Sequence, residues 1–147
     1  MIFLVSLFFS ACQKNSVSKI PQISLIGFYP ADSMRVNLDT CYIYFSLTDG
    51  DGDIGNSSTS VIYYRDSRYA SDSFLTASFP AIDPTIENPI YGLQGTCIFI
   101  PEPQPVPRPD SVHTATQRDT LSYELYITDR AGHKSNHIFT HQLYITP

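Results

Sequence analysis

Cys41-Tyr-Ile-Tyr-Phe-Ser-Leu-Thr48 alternates between apolar and polar or amphipathic side chains without a slip. Cys41, Ile43, Phe45 and Leu47 point one way; Tyr42, Tyr44, Ser46 and Thr48 point the other. Strict period two over a stretch of this length is the mark of a strand that buries one face and wets the other. Leu121-Ser-Tyr-Glu-Leu-Tyr-Ile-Thr128 repeats the pattern, with Leu121, Tyr123, Leu125 and Ile127 on the inner face. Shorter strand candidates occupy residues 23–28, 60–64, 96–100 and 138–145. No window of about a dozen residues carries a helical stripe free of Pro and Gly, and β-branched and aromatic residues abound. The expectation is an all-β fold: an immunoglobulin-like β-sandwich of about seven strands over residues 22–147.

The rest of the chain agrees with a single domain of this kind. Its 147 residues are 42% hydrophobic, too apolar for a disordered chain and long enough for one real core. Nine Lys and Arg against 14 Asp and Glu leave a net charge of −5, with the basic residues scattered. Nucleic-acid binders need a clustered cationic footprint, so that class is excluded. No apolar run reaches the roughly 18 residues of a spanning helix, which excludes a polytopic membrane protein. Five of the 11 prolines fall between Pro101 and Pro109, at every second position. Such a segment cannot donate to a ladder and reads as a stiff connection at an edge, with a PxxP ligand as the less favoured alternative.

The N-terminus reads as an address. Residues 2–9 form an apolar run broken only by Ser6, and Ser10-Ala11-Cys12 follows. Small residues and then Cys after an apolar run is the lipoprotein pattern, in which residues 1–11 are the signal peptide and the Cys12 thiol is diacylated. No Lys or Arg precedes the run, and an uncleaved apolar first strand is the alternative. Residues 12–21 are polar and read as a tether. The expectation is a protein held at the outer membrane or cell surface through its lipid alone.

Directly after the first clear strand comes Asp49-Gly-Asp-Gly-Asp-Ile-Gly55. Three carboxylates this close repel one another unless a cation neutralises them, and Ca²⁺ wants six to eight oxygens. Asp49, Asp51 and Asp53 match the first three ligand positions of an EF-hand loop. However, Ile54 stands where that loop needs Gly, Ser60 replaces its bidentate Glu, and no helices flank it. What survives is a calcium site on a β-sandwich loop. Gly50, Gly52 and Gly55 also satisfy G-x-G-x-x-G, but Asp51 and Asp53 would oppose a pyrophosphate and no helix opens afterwards, so nucleotide binding is rejected. If the two clear strands are B and F of the sandwich, their following loops lie at one end, and Asp129 in Thr128-Asp-Arg-Ala-Gly-His133 can join the shell. The competing reading is a metal-free loop closed by Asx-turns.

Other reactive residues carry less. His133, His137 and His141, at spacing four on a strand, would share a face but stand about 13 Å from one to the next at about 3.3 Å per residue, too far for one ion, and read as ordinary polar strand residues. His113 is isolated. Cys41 and Cys97 fit either a disulfide or two separately buried thiols. No CxxC, HExxH, GxSxG or P-loop occurs. A non-enzymatic binding or structural module is therefore expected. The rivals are a glycan-binding or adhesion module using Tyr42, Tyr44, Tyr126 and the Tyr63-Tyr64 pair, and a hydrolase using the aspartates with a metal-bound water.

Residues 45–55, 95–101 and 125–136, in that order, resemble a group of Bacteroidota lipoproteins. That group carries a DGDGDIG loop and, near the C-terminus, a D-R-A-G-(H/N)-x-S-N turn into the final strand. The resemblance covers residue 22 to the end. It implies an immunoglobulin-like fold and a lipid-anchored envelope protein, and it implies no particular chemistry.

Overall fold

The computed structural model describes residues 18–82, 92–107 and 119–146. Cys12 and the signal segment lie outside the described residues, as does His113. The described chain forms β1 (Gln22–Tyr29), β2 (Ser33–Arg35), β3 (Tyr42–Asp49), β4 (Val61–Asp66), β5 (Leu75–Ser78), β6 (Leu93–Phe99), β7 (Asp119–Leu121), β8 (Tyr123–Thr128), β9 (Ile138–Phe139) and β10 (Leu143–Thr146). A single 3-10 turn, Ser67–Tyr69, is capped by the Asp66 side chain. Three open sheets result, ordered β1-β3-β6, β5-β4-β8-β9 and β2-β10-β7. The architecture is all-β and sandwich-like. No helix among the described residues is long and apolar enough to cross a membrane.

Both clear strands face as their alternation demands. Ile43, Phe45 and Leu47 of β3 are buried, and so are Tyr123, Leu125 and Ile127 of β8. They meet Ile23 and Phe28 of β1 and Ile62 and Tyr64 of β4 in one core, which Met34, Leu121, Leu143 and Ile145 of the third sheet close. A bulge between Leu25 and Gly27 lets β1 keep its register with β3 while Ile26 turns out to solvent.

Two expected strands are each divided between sheets. Leu121 pairs with Leu143 in the third sheet, whereas Tyr123 pairs with Asp66 of β4 in the second. At the changeover the Ser122 backbone is taken by Ser67, whose N–H and Oγ bond the Ser122 carbonyl and N–H. Residues 138–145 break similarly at Thr140. Its Oγ1 accepts from Tyr123 N at 2.8 Å and its own N–H donates to Tyr123 O, so a side chain stands in for a ladder partner. The three histidines of this region consequently lie outside the strands.

Residues 101–107 join no ladder and instead lie against the base of the fold. Gln104 Oε1 accepts from Cys41 N at 2.7 Å, Tyr64 OH donates to the Glu102 carbonyl, and Arg68 donates to the Val106 carbonyl. Arg68 is buried between Asp66 and Asp119, each 2.6 Å away.

Candidate metal centre

The inward parity of both clear strands runs one step past their apolar residues and ends on an aspartate. Asp49 follows Ile43, Phe45 and Leu47 on the buried face of β3, and Asp129 follows Tyr123, Leu125 and Ile127 beyond β8. Both are 0% exposed. Since β3 and β8 belong to different sheets, each sheet delivers one buried carboxylate to the same end of the molecule. The 49–55 loop adds Asp51 and Asp53, and Ile54, fully buried, anchors it from beneath.

These four expected ligands are brought together: one ligand oxygen from each of Asp49, Asp51, Asp53 and Asp129 lies within 4.8 Å of the others. Hydrogen bonds hold the frame. Asp49 Oδ2 accepts from Asp53 N at 2.9 Å, and Asp53 Oδ2 accepts from Ala131 N at 3.0 Å. The Asp53 carbonyl accepts from Arg130 N, which ties the two loops through their backbones. Asp129 Oδ1 accepts from His133 N at 2.7 Å, and its Oδ2 lies 2.8 Å from His133 Nδ1. Below them Ser60 Oγ accepts from Gly55 N and donates to the Thr128 carbonyl, a buried bridge from the loop to β8.

Oδ1 of Asp49, of Asp51 and of Asp53 are buried with no hydrogen-bond partner. A buried carboxylate oxygen left bare costs more than almost any other polar atom. At an effective dielectric of 20, two unit charges at this spacing repel by about 3 kcal/mol. Burial, and then the neighbouring charge of Asp51, push the Asp49 carboxyl up to about 7. Burial, with Asp129 and Asp51, raises Asp53 as well. His133 moves up because its ring is hydrogen-bonded to Asp129.

The donor set fits a hard cation. Oxygens around Ca²⁺ at about 2.3–2.6 Å sit on a sphere roughly 5 Å across, which matches the observed spread. An all-carboxylate site lacks the nitrogen and sulfur that favour Zn²⁺. Four aspartates supply at least four of the six to eight oxygens.

Gly92 is pressed against this site. A Cβ there would stand 2.3 Å from the Asp49 carbonyl oxygen, and φ is +74°. Sequence reasoning did not single out Gly92, and it treated His133 as an ordinary strand residue. The i,i+4 spacing of Asp129 and His133 across a Gly-containing turn is the signal that could have shown their pairing.

The other candidates sit elsewhere. Cys41 and Cys97 are free thiols. Register explains why the disulfide alternative fails: Cys97 faces Phe45, four residues along β3 from Cys41, about 13 Å at the strand rise and beyond the reach of a disulfide. Burial pushes the Cys41 thiol up to about 12 and raises Cys97 too. Tyr64 is buried in the core, not paired outward with Tyr63. Tyr126 stacks on Tyr63 at 4.6 Å and on His137 at 4.7 Å, with Lys134 Nζ 3.7 Å from its centre, so the protein itself engages that ring. Tyr42 packs between Tyr29 and Tyr44 with its ring tilted against both, on the outer face of the first sheet. His137 binds Glu124, and His141 reaches the Ala31 carbonyl. No family model, curated protein or solved structure matches the chain.

Proposed function

We propose that the protein is a lipid-anchored module of the cell envelope, an immunoglobulin-like sandwich whose two larger sheets are stapled at one end by Ca²⁺, acting as a binding or structural element and not as an enzyme. The observation that carries this reading is that Asp49, Asp51, Asp53 and Asp129, drawn from two sheets, bring carboxylate oxygens within 4.8 Å of one another while the first three each keep a buried oxygen with no hydrogen-bond partner. Strands β3 and β8 lie in different sheets, and the loops after them meet, as the B and F strands of such a sandwich require. The apolar run before Ser10-Ala11-Cys12 supports the anchor.

Asp49, Asp51, Asp53 and Asp129 would hold the ion, which would supply charge neutralisation and cross-linking. His133 orients Asp129 through its backbone N–H and its ring. Binding to the folded state alone stabilises it by about 2.7 kcal/mol at 100 times Kd. Thermal melting in excess Ca²⁺ is expected to exceed that in chelator by roughly 10 °C. Superimposable curves would remove the ion from this account.

A further inference from the structure

We infer that cation occupancy latches the segment by which the chain enters the domain, residues 18–23, so that the ion controls how firmly the fold grips whatever precedes it. This rests on the calcium reading above. The Ser18 carbonyl accepts from Gly50 N at 2.8 Å, and Gly50 lies between the ligands Asp49 and Asp51. Ser18 Oγ in turn accepts from Ile20 N, and Pro21 is fully buried.

A second grip comes from the other ligand-bearing loop. Asn136 follows the Asp129 turn, and its side chain pairs with both backbone groups of Ile23. Oδ1 accepts from Ile23 N at 2.9 Å, and Nδ2 donates to Ile23 O at 2.8 Å. That amide imitates a strand residue and is held in place from the β8 side. Ser135 N and Oγ bond the Ile127 carbonyl and N–H, and Ser135 Oγ donates to Asn136 O. Thus, beside its ladder with β3 and the burial of Pro21 and Ile23, the segment is gripped at two further points, one in each loop that carries ligands. With four carboxylates crowded together and no ion among them, repulsion loosens both loops at once, and the segment between the two grips loses its anchors together.

The test uses the full chain with Ca²⁺ or chelator. Calorimetric titration with Ca²⁺ is paired with two local readings: trypsin cleavage after Lys19, which is exposed, and hydrogen exchange of the Ile23 amide. Ca²⁺ is expected to slow both by at least about fivefold. By reciprocity, a variant lacking residues 1–19 binds Ca²⁺ about threefold to tenfold more weakly. Binding of Ca²⁺ with unchanged Lys19 cleavage and Ile23 exchange overturns the latch and leaves the metal site standing. An unchanged affinity in the truncated variant overturns it as well. Absence of any binding heat overturns both the site and the latch.

Discussion

Asp49 is a carboxylate whose charge the fold opposes, through burial first and then through the neighbouring charge of Asp51. Its folded-state pKa of about 7 lies above the ordinary carboxylate value of 3.8, so the ion-free folded state holds a proton that the unfolded chain releases. Stability from that proton is complete below about pH 4 and is lost as pH rises through 7. Asp53 shifts in the same direction. Glu124, held low by Arg65 and His137 against the pull of burial, loses its own contribution only at more acid pH. In chelator, the melting temperature is therefore expected to fall between pH 4 and pH 7, and Ca²⁺ to abolish the fall. Asp49→Asn provides the sharper check, because its effect changes sign. At pH 7 in chelator it should stabilise the protein by about 1–3 kcal/mol, whereas in excess Ca²⁺ it should destabilise it. A variant less stable than the parent under both conditions would contradict this.

Two glycines make a matched pair at the same scale. Gly92 and Gly132 both have positive φ, but a Cβ on Gly132 meets open space, whereas one on Gly92 meets the Asp49 backbone. Gly132→Ala should cost about 1 kcal/mol, the price of left-handed backbone alone. Gly92→Ala should cost about 2 kcal/mol or more and weaken Ca²⁺ binding. Equal melting temperatures for the two variants would show that the close approach has no consequence.

Among the elements, Thr140 holds the break between β9 and β10. Thr140→Val removes the acceptor for the Tyr123 N–H in a buried position and should cost about 2 kcal/mol. It lies beside the start of β8, whereas the aspartates gather past that strand's end, so Ca²⁺ affinity should not change. The same break shows how much was legible in the chain beforehand. Period two placed Ile43, Phe45, Leu47, Leu125 and Ile127 inside correctly, because one strand and one core suffice to enforce it. It also contained the buried positions of Asp49 and Asp129, since the parity simply continues. It could not show that Ser122 and Thr140 divert their strands into a third sheet. Those diversions depend on bonds from Ser67 and Tyr123, far away in sequence. Short β2 and β5 escaped notice for a related reason: Ser33-Met-Arg35 and Leu75-Thr-Ala-Ser78 are too brief to establish a period.

For the whole molecule, the proposed lipid anchor and the proposed ion can be tested separately. Cys12→Ser should move the protein from the detergent-rich to the aqueous phase on detergent phase separation, with its Ca²⁺-dependent melting unaltered. Equal partitioning of the two proteins would remove the anchor while leaving the site intact.

The tyrosines give this molecule a built-in optical reporter. With 10 Tyr, 9 Phe and no Trp, the longest-wavelength near-ultraviolet signals originate from phenol rings. Tyr63 and Tyr126 lie 4.6 Å apart and only 6° from parallel, close enough for their transitions to couple. Circular dichroism near 280 nm, an approximate wavelength for such rings, therefore carries a contribution from one pair of adjacent strands, β4 and β8. Loss of that contribution accompanies the parting of those two strands, with no introduced dye.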